Sequence, residues 1–175
     1  KYNWFSSGGP AEFFFKAEDE NDLAFFLKNI KSYNKKINII GAGSNTLIRD
    51  GGVDGVTIKL SSNFSYTKLL EGSIIEAGAA TLDKNVSNFA KDNSLSGLEF
   101  LSCIPGSIGG GVKMNSGCYG SDFSKILFSV KVMDLNGEIK EIKKEKIDFF
   151  YRGCSLSEDL LVLSVKLKGV SSKKE

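Results

Sequence analysis

The segment Gly97-Leu98-Glu99-Phe100-Leu101-Ser102-Cys103-Ile104-Pro105-Gly106-Ser107-Ile108-Gly109-Gly110-Gly111-Val112-Lys113-Met114-Asn115-Ser116-Gly117-Cys118-Tyr119-Gly120 holds seven of the chain's 19 glycines. A second segment, Gly41-Ala42-Gly43-Ser44-Asn45-Thr46-Leu47-Ile48-Arg49-Asp50-Gly51-Gly52-Val53-Asp54-Gly55, holds five more. Twelve of the 19 glycines therefore fall in two short stretches. Glycine lets the backbone take φ > 0 and removes the Cβ that would hold a ligand away. Both stretches follow apolar runs. Such loops turn main-chain N–H groups toward a phosphate-bearing cofactor. The expected arrangement is one cradle, formed by both loops, that holds a dinucleotide.

Outward from the longer stretch, strand and helix signals alternate. Before it, residues 82–93 set Leu82, Val86, Phe89 and Ala90 on one helical stripe. Residues 66–70 and 73–77 are strand candidates around the Glu71-Gly72 turn. Within it, residues 108–114 are expected to be partly helical. After it, residues 124–135 and 138–143 read as strands joined by Asn136-Gly137, the strongest hairpin signal in the chain. Residues 146–150, the turn from Tyr151 to Ser155 and a strand over 160–167 follow.

The shorter stretch has its own frame. Residues 11–17 read as a strand containing Phe13, Phe14 and Phe15. Asp19 or Asn21 can cap a helix over residues 20–31, where Leu23, Phe26, Leu27 and Ile30 recur at helical spacing. A short strand over 37–40 runs straight into the glycine loop, and 56–60 alternates as another strand. This divides the chain into a first lobe over residues 1–60 and a second over 61–175. Both lobes mix strands and helices, so the class is α+β.

The totals narrow the possibilities. A chain of 175 residues buries roughly 70% of its unfolded surface and needs no disulfide or metal staple. A net charge of +2 gives no bulk electrostatic case for a nucleic-acid or membrane partner. Histidine is absent, which excludes a Ser-His-Asp triad, a Cys-His pair and histidine-ligated metal within the chain. Cys103, Cys118 and Cys154 are odd in number and lack metal-ligand spacing, so no metal is expected and reduced thiols in a cytoplasmic protein fit best. No apolar run reaches the ~20 residues of a membrane helix. The chain starts at Lys1 without a methionine, and an excised piece of a longer protein is expected.

Neither glycine loop meets a standard nucleotide motif. Thr46 stands where a Rossmann loop has its third glycine, and no acidic strand end follows at the usual distance. Val112 separates Gly111 from Lys113, which breaks a P-loop. Ser44, Asn45, Thr46, Ser107 and Asn115 are short neutral donors that reach phosphate or ring heteroatoms. Asp50 would repel phosphate; its expected part is to cap the turn at Gly51-Gly52.

Both loops, taken with the segment from Asn3 to Ala11 and the Tyr151-Arg152 dipeptide, resemble UDP-N-acetylenolpyruvoylglucosamine reductase, a flavoenzyme family of bacterial peptidoglycan synthesis. The resemblance runs in order over nearly the whole chain. It implies a two-lobed FAD-binding domain of the p-cresol methylhydroxylase and vanillyl-alcohol oxidase type, with FAD between the lobes. It implies NADPH as reductant, a UDP-sugar substrate and a cytoplasmic monomer. A third, substrate-binding domain of the family is absent from this chain. The alternative is a flavin-binding module, or an oxidase of the same fold, without this reaction.

Residue by residue, the resemblance implies that Gly41, Ala42, Gly43, Ser44, Asn45, Thr46 and Leu47 wrap the FAD pyrophosphate. Ile104, Pro105, Gly106, Ser107, Gly109 and Gly110, with Asn115 and Gly117, would line the flavin and the rest of the diphosphate. Val162, in the segment 161–163, would sit near the ring. Arg152 would face the substrate's enolpyruvyl carboxylate as the catalytic cation, with Tyr151 orienting the substrate. The family's usual serine after this dipeptide is displaced here by Gly153 and Cys154, and no serine of this chain is assigned as proton donor.

Overall fold

The computed structural model describes residues 2–172 of the chain. Its first lobe is a three-stranded parallel sheet built from β1 (Ala11–Ala17), β2 (Ile37–Ile40) and β3 (Val53–Leu60), in the order β1-β3-β2. Parallel pairing needs a crossover, and α1 (Glu20–Ile30) supplies it between β1 and β2. Asp19 starts α1: its Oδ1 accepts from the Asp22 N–H at 2.8 Å, satisfying one of the first-turn donors. Leu23 and Leu27, four residues apart, are buried against the sheet.

The second lobe is a five-stranded antiparallel sheet. Its strands are β4 (Thr67–Leu70), β5 (Ile74–Gly78), β9 (Leu127–Met133), β10 (Ile139–Lys143) and β13 (Leu161–Lys168), in the order β10-β9-β13-β5-β4. Short pieces lie between: β6 (Leu95–Ser96) pairs with β14 (Val170–Ser171), β7 (Gly117–Cys118) with β8 (Ser121–Asp122), and β11 (Phe149–Phe150) with β12 (Gly153–Cys154). Helices α2 (Asp83–Asp92), α3 (Ile108–Lys113) and α4 (Phe123–Ile126) cover one face, together with a 3-10 turn at Glu99–Cys103.

Most expected elements form with ends shifted by a residue or so. Three details differ. Residues 124–135 are not one strand, because Phe123–Ile126 makes a helical turn first. Phe123 is fully buried, its ring fills the place a Cβ on Gly111 would take, and the Asn115 Oδ1 accepts from the Ser124 N–H at 3.0 Å. The β9–β10 hairpin does form, but its turn begins at Asp134, whose Oδ1 accepts from the N–H groups of Asn136 and Glu138. Those bonds hold the Asp134 carboxyl below the usual range. Leu82 leaves the helical stripe: it is the N-cap of α2 and is half exposed, while Val86 and Ala90 carry the buried face.

One apolar cluster joins the sheets. Leu23, Leu27, Val56 and Ile58 of the first lobe pack with Met133, Leu161 and Leu163 of the second. Lys131 on β9 adds an ion pair to Glu20 on α1 at 2.6 Å. That pair is partly exposed and contributes little beside the apolar contact. Truncating a shared core leucine should therefore weaken both lobes at once. Leu163→Ala is expected to cost roughly 2–5 kcal/mol and to leave a single cooperative transition in urea unfolding followed by circular dichroism. Two separated transitions would show that the lobes unfold independently.

Candidate functional site

The two glycine loops meet. β2 delivers Gly41 at its C-terminal end, and the turn before α3 delivers Ser107. A Cβ on Gly41 would stand 2.6 Å from the Ser107 Oγ, so the two loops meet at this point and a side chain on Gly41 would turn the Ser107 hydroxyl away. They border a cleft of about 1110 Å³ between the sheets, lined by both loops. Pockets for drug-sized ligands span roughly 300–1,000 Å³, so there is room for a larger, elongated ligand.

Main-chain donors gather along it. No N–H from Ala42 to Thr46 donates to an acceptor among the described residues, and the same holds for Ser107 and Gly110. The Gly109 N–H is taken by the Ala79 carbonyl at 3.0 Å. Gly109 serves close approach instead, since a Cβ there would come 3.0 Å from the Ala79 Cβ. Unengaged N–H groups clustered in glycine-rich turns form an anion-binding concavity. Leu82, Ile104, Leu160 and Val162 supply an apolar wall of the same cleft.

The first loop is clamped from outside. Trp4 donates its N–H to the Gly43 carbonyl at 3.1 Å, and the buried Asn3 amide donates to the carbonyls of Ser7 and Thr46. Gly43 has φ +73°, and a Cβ there would lie 2.4 Å from the Tyr2 carbonyl oxygen.

Four charged side chains line the cleft. Lys59 donates from Nζ to the Gly41 carbonyl at 2.5 Å, and burial pulls its pKa down. Lys113 donates to the Leu156 and Ser157 carbonyls, and burial likewise lowers its pKa. Asp83 is fully buried with no partner for either carboxylate oxygen, and burial pushes its pKa up to about 7. Arg152 stands exposed at the rim on the two-residue turn between β11 and β12. Its φ is +62° and its guanidinium lies 5.4 Å from the Tyr151 ring centroid. A non-glycine residue held left-handed costs of order 1–3 kcal/mol and marks a conformation fixed by its surroundings.

A family model described as FAD binding domain matches residues 11–143. The chain belongs to that family. FAD is therefore the cofactor of this FAD-binding domain. The UDP-N-acetylenolpyruvoylglucosamine reductase of Pelagibacter ubique is 47% identical over all 175 residues, and the chain spans 58% of that relative's length. A crystal structure of UDP-N-acetylenolpyruvylglucosamine reductase from Thermus caldophilus superposes with a TM-score of 0.83 at 31% identity, covering 98% of this chain and 60% of that one. A vanillyl-alcohol-oxidase-type flavoprotein from Myceliophthora thermophila gives a TM-score of 0.62 at 15% identity over 87% of this chain and 30% of its own. That likeness concerns the fold, and the two-lobed α+β class expected from the sequence is the one found.

The residues present fit such a cofactor. A diphosphate needs donors without side-chain bulk, and the unengaged N–H groups beside Gly41 and Ser107 provide them. Of the sequence-selected residues, Gly41 to Thr46, Ile104, Pro105, Gly106, Ser107, Gly109, Gly110, Gly117, Arg152 and Val162 line the one cleft. Three stand apart from it. Leu47 points to solvent, and Tyr151 is 88% exposed on its turn. The Asn115 side chain is engaged elsewhere: besides receiving the Ser124 N–H, it donates to the Phe150 carbonyl at 3.2 Å. It thereby ties α3 to the hairpin that bears Arg152. The Gly51-Gly52 turn is closed by the Arg49 carbonyl rather than by the Asp50 side chain.

Sequence reasoning passed over Asn3, Lys59 and Asp83. Lys59 adds a charged side chain to a cleft whose sequence-selected donors Ser44, Asn45, Thr46, Ser107 and Asn115 are neutral. The alternation of β3 could have drawn attention to Lys59, since it follows buried Ile58 on a strand ending at the cleft. Gly43→Ala should break the clamp through backbone strain and the Tyr2 contact together. Flavin fluorescence titration is expected to show at least about tenfold weaker FAD binding, equivalent to ~1.4 kcal/mol, with a lowered Tm.

Proposed function

We propose that this chain is the FAD-binding part of a UDP-N-acetylenolpyruvoylglucosamine reductase, an enzyme that uses NADPH to reduce the enolpyruvyl ether of UDP-N-acetylglucosamine to UDP-N-acetylmuramate. The observation that carries the reading is the contact of Gly41 with Ser107 across one cleft, with Arg152 at its rim. Matches to reductases of that name over 100% and 94% of this chain, and over 58% and 55% of those relatives, support it.

When bound, FAD would supply the two-electron hydride-transfer chemistry that links NADPH to the alkene. The chain's own residues bind and orient. The N–H groups of Ala42 to Thr46, Ser107 and Gly110 donate to the diphosphate. Lys59 adds a positive charge next to the Gly41 carbonyl and offsets part of the phosphate charge. Leu82, Ile104 and Val162 exclude water from the ring systems, which strengthens every electrostatic contact inside.

Arg152 meets the substrate carboxylate. As the alkene is reduced, negative charge grows toward that carboxylate, and a fixed guanidinium stabilises it more in the transition state than in the ground state. Arginine suits this because its planar fork holds a carboxylate in two parallel bonds. Asn115 holds the hairpin from behind, so the left-handed turn at Arg152 keeps its shape. Tyr151 stacks near the guanidinium and limits its rotamers.

FAD added to the purified chain should show quenched flavin fluorescence and a shifted visible band; an unchanged flavin spectrum at saturating protein would reject the reading. In the complete gene product, Arg152→Ala is expected to lower kcat for NADPH oxidation with the enolpyruvyl substrate by about 10²–10³-fold, with FAD retained. Rapid air reoxidation and turnover without the nucleotide sugar would instead favour an oxidase.

A further inference from the structure

Asp83 opens α2 and lies directly against the turn at residues 104–107. Its main-chain N–H donates to the Gly106 carbonyl at 3.1 Å. Its Oδ2 stands 2.7 Å from the place a Cβ on Gly106 would occupy. The preceding residue, Leu82, forms an isolated antiparallel bridge with Ser107. The carboxyl, the turn and the Ser107 hydroxyl that faces Gly41 are thus one mechanical unit. Behind it, α2 is fixed in the core by Val86 and Ala90.

This unit contains an imbalance. Asp83 has no solvent exposure and neither oxygen has a hydrogen-bond partner. A neutral carboxyl tolerates such a place far better than an ionised one, whose unpaired burial is expensive. Among the described residues no cation offsets the charge. The turn at 104–107 has no titratable side chain, and Cys103 before it is exposed. Lys84, next on α2, points to solvent. Lys59 and Lys113 line the same cleft but donate to carbonyls elsewhere, and Arg152 lies at the rim. Burial is the cause of the upward pKa shift to about 7.

We propose that Asp83 is a positioning residue for the cofactor: protonated, it lets the 104–107 turn close on α2 and hold Ser107 toward Gly41, and ionised, it lifts that turn and loosens the FAD site. The proposal rests on the FAD reading above. With α2 anchored, the turn is the part that can yield to hydrate the charge. The sign follows from linkage. Asp83 has a pKa of about 7 in the closed form, above its ordinary 3.8, so closing favours the proton. The closed form is fully favoured below about 3.8, and its advantage is lost progressively as pH rises from there to about 7. FAD binding should weaken by up to about tenfold per pH unit within that window and level off above it.

The test is FAD titration by flavin fluorescence from pH 4.5 to pH 8, on the wild-type chain and on Asp83→Asn. The amide stays neutral and nearly isosteric, so Asp83→Asn should keep its pH 4.5 affinity throughout, while the wild type weakens about tenfold or more by pH 7 and then levels off. Parallel profiles overturn the proposal. So does a wild-type affinity that rises with pH, which would make Asp83 a direct acceptor for the ligand. A second measurement needs no variant and no cofactor: amide hydrogen exchange of residues 104–107, corrected for intrinsic rates, should lose protection in the wild type between pH 4.5 and pH 7. Unchanged protection overturns the proposal even if FAD fails to bind, whereas failure to bind at pH 4.5 with the expected loss of protection removes only the FAD reading.

Discussion

Two loops from different sheets meet across one cleft, and the shape of that cleft depends on where they meet. Gly41 comes to Ser107 at a separation that a Cβ would reduce to 2.6 Å from the hydroxyl oxygen. Loops without side chains have high conformational entropy, so this approach needs support from elsewhere. The parallel sheet ends in Gly41 and fixes one side. Ile108 and Gly109 fix the other by donating their N–H groups to the Thr81 and Ala79 carbonyls. The Asn3 and Trp4 contacts then secure the first loop from outside. The N–H groups of Ala42 to Thr46, Ser107 and Gly110 stay without an acceptor among the described residues.

Joining the sheets is a separate task with a separate solution. Leucines and isoleucines from β3, α1 and β13 form one dry cluster, buried to within a few percent. Apolar burial stabilises by about 25 cal/mol per Å² and is non-directional. It brings the sheets together but cannot set the loops to a fraction of an ångström. The polar contacts set the geometry, and the apolar ones supply most of the free energy.

Two left-handed residues belong to the end of α3 and to the hairpin that carries Arg152. Asn115 and Arg152 both take left-handed conformations, at φ +42° and +62°, and a hydrogen bond from Asn115 to Phe150 links their segments. Gly153 beside Arg152 is packed under the Phe150 ring, where a Cβ would come within 2.3 Å of it. The backbone of the turn that carries Arg152 is thereby fixed by its neighbours.

The residues that settle local conformation could be read without the structure. The stripe of Leu23 and Leu27, the cap at Asp19, the glycine runs and the Asn136-Gly137 turn each depend on neighbours within a few positions, and each gave the expected element. The order of the glycine loops and the Tyr151-Arg152 pair was enough to indicate the family and, with it, the cofactor. What a side chain faces could not be read this way. Asn115 looked like a ligand-lining donor and is a strut to Phe150, 35 residues away. Leu82 looked like core and faces the cleft. Lys59 reaches Gly41 only because β3 lies beside β2. Asp83 is ordinary in sequence and unpartnered only because a distant turn closes over it. Backbone preference is a property of a short window, whereas burial and partnership depend on which distant segments the fold brings together, and that is decided by packing the whole chain.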